Sequence, residues 1–258
     1  MGDASELRSW WHTGEGEYVL NWARASCERI VADVFGFHAL QLGFQETDFL
    51  AANRIPVKTC LAESGEHGQL RCAFDELPFA NQSIDLVLLP FTLDFHPNPH
   101  QVLREVERIL RPEGQVVILG FNPWSLWGLA RGINRVLYAL LQRTYGFPWQ
   151  GRFISIPRLR DWLELLGFEV DRGGFGCYIP PCASRKTLAR LKFLELAGNR
   201  WWGFAGGTYA LRAVKRVKGL RLMPPWSAVS RQKLVLKPGL TAGSTRLDSA
   251  GQKKERLP

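Results

Sequence analysis

The chain has 258 residues, of which 46% are hydrophobic, so it is long enough to bury one substantial core with small additions. No run approaches about 18 consecutive apolar residues, and residues 1–30 lack the basic start and apolar block of a secretory signal, which predicts a cytoplasmic protein without a transmembrane segment. The five cysteines are odd in number and form no CxxC pair, which argues against a disulfide framework or a zinc site.

The net charge of +9 is concentrated at the end of the chain. Residues 212–258 hold 12 Lys or Arg against Asp248 and Glu255, so residues 1–211 are close to neutral. Residues 218–258 are polar and basic and lack an apolar pattern, which predicts a disordered tail. Such a tail can contact nucleic acid, because each Lys or Arg adds a phosphate contact, or it can serve solubility alone.

Helix-like and strand-like patterns alternate before this tail. Residues 1–34 are predicted to form an N-terminal helical segment, in which apolar side chains recur every three or four residues from Glu17 to Val34. A helix is predicted to begin at Pro99 and to end at "RPEG". Strands are predicted at residues 38–43, 56–63, 69–74, 83–91 and 115–121, and the fourth is continuously apolar, as in a sheet buried on both faces.

Residues 123–147 interrupt this alternation with a helical stripe flanked by tryptophan and arginine. This insertion is interpreted as packing against the sheet, with a substrate lid or a membrane-surface helix as alternatives. The pattern then resumes with a helix from Pro157, a strand at 168–170, a helix at about 185–196 and a terminal strand at 206–217. Strands that alternate with helices indicate an α/β domain over residues 35–217.

The most specific pattern lies in residues 77–123. "LPF" at 77–79 precedes Ile84 and Asp85, and "LRPEG" at 110–114 precedes the next strand. With this spacing the segment resembles the class I S-adenosylmethionine-dependent methyltransferases, specifically the methyltransferase type 11 group. The resemblance extends loosely over residues 35–216. It implies a Rossmann-like sheet, mostly parallel with helices on both faces and with an antiparallel last strand.

The resemblance also implies S-adenosylmethionine as cofactor, bound beyond the carboxyl ends of strands one to four. The family ends strand one with an acid, a hydrophobe and GxG, where the acid holds the ammonium of the cofactor. This chain has Gln41, Gly43, Phe44 and Gln45 there, so the acid and the last glycine are replaced. The Gln41 carbonyl can still accept from an ammonium, at a cost of roughly 1.5–3 kcal/mol. Phe44 is expected to cover the ligand or to fill its place.

The loops after strands two and three carry the next candidates. Glu63 stands 20 residues after Gly43, where the family uses an acid on the ribose hydroxyls, and a solvated loop charge is the alternative. Ala73 stands where the family has an acid on the adenine amino group. Asp75 and Glu76 are candidate substitutes, with Phe74 against the ring, although a solvated acidic turn is the favoured interpretation.

After strand four, Pro90 and Phe91 replace the small residue and the histidine common in the group. Phe91 is expected to pack on adenine or methionine. Asp94 and His96 lie near the expected methyl position and are candidate bases, although a polar loop is the favoured interpretation. Proline residues between His96 and His100 exclude a helix that would aim both at one metal, so no metal site is predicted.

The sequence therefore predicts an S-adenosylmethionine-dependent methyltransferase that acts on an unidentified methyl acceptor. The alternative is a catalytically inactive methyltransferase-like binding module that contacts RNA or an acidic partner through its tail. The substitutions at Gln41, Gln45 and Ala73 favour the alternative, whereas Glu63 and the pattern over residues 77–123 permit the enzyme. No pattern specifies catalytic residues or an oligomeric state.

Overall fold

The computed structural model describes residues 9–63, 70–132, 151–180 and 193–217. The chain divides into a unit of residues 1–217 and a second unit of residues 218–258, and the predicted tail lies outside the described residues. Residues 133–147 of the predicted insertion also lie outside them. None of the helices among the described residues is long and apolar enough to cross a membrane. The four cysteines in these ranges are free thiols.

The principal regular elements of the described residues are seven strands and five α-helices. In chain order they are α1 (Gly14–Val31), β1 (His38–Leu42), β2 (Val57–Ala62), β3 (Leu70–Arg71), β4 (Ile84–Pro90), α2 (Thr92–Phe95), α3 (Pro99–Ile109), β5 (Leu110–Phe121), α4 (Ile156–Leu165), β6 (Phe168–Gly176), α5 (Phe193–Trp201) and β7 (Thr208–Lys215). Residues 126–132 are helical as well, and Gly203–Ala205 form a short 3-10 turn.

The strands form one sheet in the order β3-β2-β1-β4-β5-β7-β6. The pairs from β3 to β5 are parallel, whereas β7 runs antiparallel to both β5 and β6. The predicted α/β class is confirmed, including the mostly parallel sheet and the antiparallel last strand.

The central strand β4 explains why both faces of the sheet are covered. Successive side chains of a strand point to opposite faces, and all of those from Leu86 to Leu89 are fully buried. Leu86 and Leu88 belong to one core with the apolar stripe of α1, and Val87 and Leu89 belong to the other with α3 and α4. The continuously apolar sequence of β4 follows from this double burial.

Several element boundaries differ from the sequence predictions, and β3 is confined to Leu70–Arg71 where residues 69–74 were expected. Helix α1 begins at Gly14 and not at Glu17, because the Thr13 hydroxyl accepts the amide of Gly16 and caps the first turn. Strand β5 begins at Leu110, so "RPEG" lies within the strand and does not separate it from α3. The backbone becomes extended at Leu110, and Glu113 adopts a positive φ of 64°. The start of the helix predicted at 185–196 lies outside the described residues, which place α5 at Phe193–Trp201.

Helix α3 holds the "LPF" segment in place. The Glu105 carboxylate accepts the amide of Leu77 at 3.0 Å and pairs with Arg108 at 2.8 Å. Arg108 donates in turn to the carbonyls of Leu77 at 2.9 Å and Phe79 at 2.8 Å. These bonds fix the loop between β3 and β4 against α3.

The Asp85 carboxylate connects the three central strands at their amino ends. Its Oδ2 accepts the amides of Phe37 at 2.7 Å and His38 at 3.0 Å, and its Oδ1 pairs with Arg111 at 3.0 Å. Partial burial raises the pKa of Asp85, but these hydrogen bonds and the arginine outweigh it and hold the pKa below its usual value. A Cβ on Gly36 would lie 2.4 Å from the Asp85 Cβ, so glycine lets the chain approach this closely.

Candidate functional site

The strand order marks the carboxyl edge of the sheet as the expected ligand-binding edge. The order changes direction between β1 and β4, and ligands of open α/β sheets bind at such a switch point. The ends of β1 to β4 and the loops that follow them carry the eight residues predicted to bind the cofactor, which are Gln41, Gly43, Phe44, Glu63, Phe74, Asp75, Pro90 and Phe91.

Gln41, at the position of the family's acid, supports the loop after β1 from within. Its Nε2 lies within hydrogen-bonding distance of the carbonyls of Gly43 at 3.1 Å, Phe44 at 2.9 Å and Thr47 at 2.9 Å. Its Oε1 accepts the amide of Phe49 at 3.1 Å, and the residue is only 2% exposed. The predicted contact with a cofactor ammonium requires the side chain to leave this arrangement.

Gly43 keeps the turn that ends β1. Its φ of +85° is a conformation that a side chain would strain, and its amide donates to the Leu61 carbonyl at 2.9 Å. A Cβ on Gly43 would lie 3.4 Å from the Thr92 hydroxyl and 3.7 Å from the Phe74 ring. The Thr92 hydroxyl donates to the Leu42 carbonyl at 2.5 Å, so β1 and the start of α2 are directly joined.

Glu63 follows β2 and presents its carboxylate at the surface, with 45% of the side chain exposed. Its Oε1 lies 3.2 Å from Nε2 of the buried His96. The Nδ1 of His96 accepts the amide of Asn98 at 3.0 Å, so a neutral ring carries its proton on Nε2. The Nε2–H group can then donate a hydrogen bond to the Glu63 carboxylate. The candidate ribose ligand is thereby oriented by a residue from the loop after β4.

Asp94 lies inside the protein, so the solvated polar loop favoured from the sequence is not what this residue forms. Its Oδ2 accepts the amide of Phe121 at 2.8 Å, and the residue is 2% exposed. Burial raises the pKa of Asp94 to about 8, although the amides of Phe121 and Ile154 and the charge of Arg131 lower it. Asp94 therefore joins the segment after β4 to the end of β5, and its role as a base stays a prediction.

Aromatic rings pack together at the carboxyl ends of β1, β4 and β5. Trp11 contacts Phe44, Phe91 and Phe121 with ring centroids 4.7, 5.1 and 6.2 Å away. Phe44 and Phe91 have positive φ angles of 54° and 57°, and such strain in bulky residues concentrates at functional sites. We call Trp11, Phe44, Phe91 and Phe121 the aromatic cluster. The rings of Phe44 and Phe91 pack within this cluster, so Phe44 fills space above the sheet.

The other three candidates lie around this cluster. Phe74 is buried with its ring beside Gly43 and 6.4 Å from the ring of His96. Asp75 is half-buried next to it. Pro90 ends β4, is buried and stands opposite Leu119 of β5. The roles of these residues in cofactor binding stay predictions. Among the described residues, no group of three His, Cys, Asp or Glu side chains is arranged as metal ligands.

Sequence reasoning missed a second concave region. A cavity of about 740 Å³ lies between the first turns of α3 and α4, and three arginines line it, namely Arg104, Arg152 and Arg158. The only signal in the sequence is a proline in the first turn of each helix, with an arginine five residues later in α3 and one residue later in α4. That pattern is common at helix starts, so it could not single out these residues.

Comparison with known proteins agrees with this architecture. A family model described as "Methyltransferase domain" matches residues 47–118. Residues 47–118 of this chain are therefore similar to that family. A S-adenosylmethionine-dependent methyltransferase from Thermotoga maritima superposes on 82% of the chain and 95% of its own length, with a TM-score of 0.57 and 17% identity. One from Archaeoglobus fulgidus covers 76% of the chain and 94% of its own length, with a TM-score of 0.53 and 17% identity.

Curated relatives of the methyltransferase domain match over shorter stretches. The uncharacterized protein YafS of Escherichia coli K12 is 36% identical over 138 residues, which is 53% of this chain and 55% of YafS. A demethylmenaquinone methyltransferase of Lactobacillus johnsonii is 32% identical over 109 residues, which is 36% of this chain and 43% of that protein. The chain thus spans about half the length of the curated relatives it matches.

The arrangement around Gln41 predicts the effect of restoring the family's acid. In Gln41→Glu a buried carboxylate would face the carbonyl oxygens of Gly43, Phe44 and Thr47 and would donate nothing to them. We expect the free energy of unfolding, measured in urea, to fall by about 2–4 kcal/mol. Gln45→Glu makes the same chemical change in the same loop and should stay within about 0.5 kcal/mol of wild type. Equal stabilities of the two variants would contradict the role assigned to Gln41.

Burial of Asp94 predicts a pH-dependent stability. The folded chain keeps the Asp94 proton up to about pH 8, whereas the unfolded chain loses it near the ordinary value of 3.8, so stability falls as pH rises between these values. Asp94→Asn cannot lose this proton, and we expect its free energy of unfolding to fall less between pH 5 and pH 8, by roughly 1 kcal/mol or more. The exposed Asp161→Asn is the control and should follow wild type. Parallel pH profiles of wild type and Asp94→Asn would show that Asp94 ionises freely in the folded chain.

Proposed function

We propose that the methyltransferase domain binds S-adenosylmethionine at the carboxyl edge of β1 and β2 and transfers its methyl group to an unidentified acceptor. The observation that carries this proposal is the exposed Glu63 carboxylate, which follows β2 at the family's ribose-binding position. It is oriented by His96, from the segment after β4, and follows the strand next to β1, which borders the switch point of the sheet.

The described residues fit the nucleoside half of this cofactor. Glu63 would accept from the ribose hydroxyls, and Phe74 and Asp75 lie in the loop that reaches adenine in the family. The fit at the methionine half is poorer, because the amide of Gln41 is bound within its own loop. We therefore expect binding that is weaker by roughly ten- to a hundredfold than with an acid at this position.

The bound cofactor would supply an activated methyl group on its sulfonium, and the domain would act mainly by positioning and by excluding water. The aromatic cluster covers the ends of β1, β4 and β5 and keeps solvent from this side. No described acid or base needs to be assigned for such a displacement. The cytoplasmic location predicted from the sequence is compatible with this function and is part of the proposal.

Calorimetric titration with S-adenosylmethionine tests the proposal. We expect the full chain to bind with a dissociation constant in the micromolar range or weaker, and Glu63→Ala to weaken binding at least tenfold because the hydroxyls lose a charged acceptor. Glu28→Ala, which removes an exposed carboxylate from α1, is the matched control and should bind as wild type does. If roughly millimolar S-adenosylmethionine produced no heat of binding, the proposal that this chain is an enzyme would be contradicted.

A second function is favoured by the same residue that weakens the first. Gln41 is bound within its loop, and aromatic rings fill the adjoining space. Both features would also be expected of a catalytically inactive binding module. In that case the basic residues of 218–258 would contact RNA, or another acidic partner, through salt-dependent phosphate contacts.

Truncation after Val217 tests this second function. The truncated chain should bind a fluorescent single-stranded RNA more weakly than the full chain, and its affinity should depend less on salt, because the tail's cations no longer contact phosphates. Fluorescence anisotropy at two salt concentrations measures both quantities. If affinity and salt slope are unchanged, the tail does not bind RNA.

A further inference from the structure

The cavity between α3 and α4 has the dimensions of a small-molecule site. Its volume is about 740 Å³, within the range of roughly 300–1,000 Å³ that is typical of ligand pockets. The cavity is lined by the start of α3 with residues 97–98 before it, by α4 and by residues 152–154. A second cavity of about 330 Å³ shares Phe153 and Arg158 with it and reaches the exposed Trp124.

The cavity carries positive charge that no acid offsets. Arg104, Arg152 and Arg158 line it, and none of them forms a salt bridge with a carboxylate within the part of the chain that the structure describes. Elsewhere in the same part, Arg108 and Arg212 each pair with at least one carboxylate. Three cations around one concavity repel each other unless an anion joins them, so the cavity attracts negative ligands.

The helix ends at this cavity reinforce its charge. The first turns of α3 and α4 both reach it, and neither helix has a side-chain cap on its first amides. The start of a helix carries partial positive charge. This contribution adds to the field of the arginines and points in the same direction.

The remaining lining combines flat and apolar side chains with the polar Asn98, His100 and Gln101. The Trp162 indole lies 3.6 Å from the His100 ring between centroids, and the Arg158 guanidinium stands 5.2 Å from the indole centroid. Phe153 and Ile154 complete this lining. Such surfaces favour a planar group, which can stack on the rings while its charged end reaches the guanidinium groups.

We propose that this cavity binds a small planar molecule with an anionic group, a phosphate or a carboxylate, which is held by Arg104, Arg152 and Arg158. Guanidinium groups bind both anions through paired N–H···O bonds, and Trp162 stacks on the planar part. Binding of this ligand does not depend on methyl transfer. Its further role as the methyl acceptor rests on the function proposed above.

The test is calorimetric titration of the full chain with phenyl phosphate and with benzoate at low salt, without S-adenosylmethionine. We expect at least one of them to bind with a dissociation constant of roughly a millimolar or tighter, and the stronger of the two identifies the preferred anion. Benzamide, the neutral analogue of benzoate, and inorganic phosphate, which lacks the ring, should each bind at least tenfold more weakly. Equal binding of benzamide, or of inorganic phosphate, overturns the proposal.

Variants locate the binding in the cavity. The double variant Arg104→Gln/Arg158→Gln should lose at least tenfold in affinity for the preferred probe, and Arg160→Gln should lose less than twofold. Arg160 is the matched control, since it is an exposed arginine of the same helix α4 and does not line the cavity. Unchanged affinity in the double variant, or no binding of either probe at roughly 10 mM, refutes the site. Thermal unfolding of each variant verifies that it is folded. Because no cofactor is present, failure here leaves the proposal of S-adenosylmethionine binding unaffected.

Discussion

The Asp85 carboxylate is the interaction on which the arrangement of the site depends. Asp85 is the second residue of β4, and it binds backbone amides at the start of β1 and the side chain of Arg111 in β5. The three central strands are thereby aligned at their amino ends. The register then brings the carboxyl ends of the strands close to one level, since Gln41 of β1 pairs with Leu88 of β4 and Pro90 of β4 pairs with Leu119 of β5. The end of β1 and the start of α2 consequently meet at the opposite edge, where the Thr92 hydroxyl donates to the Leu42 carbonyl. The arrangement of the candidate site thus depends on bonds formed at the amino ends of the strands.

The sequence patterns that predicted the fold are those whose physical cause is local or repeated. The unbroken apolar run of β4 reports burial on both faces, which only a covered sheet provides. Glu105 and Arg108, just before "LRPEG", bind the backbone of the "LPF" segment at 77–79. The spacing between the two patterns therefore reflects contacts that the folded chain makes. Boundaries were less certain, because a single capping hydroxyl at Thr13 moved the start of α1 by three residues.

The candidate site was predictable only as a set of positions. Gln41, Glu63 and Phe91 were located by counting from the strands, but the direction of a side chain depends on contacts made far along the chain. The orientation of Glu63 depends on His96, which is 33 residues later, and the space over Phe91 is filled by Trp11 from the N-terminal segment. The arginine-lined cavity joins residues from positions 97 to 162, and no local pattern encodes such a meeting.

The contacts of Gln41 also determine what any redesign of this loop has to change. Three carbonyl oxygens surround the amide nitrogen, so the conformation of the loop and the identity of this side chain depend on each other. An acid introduced here would require simultaneous changes that supply other donors to these carbonyls.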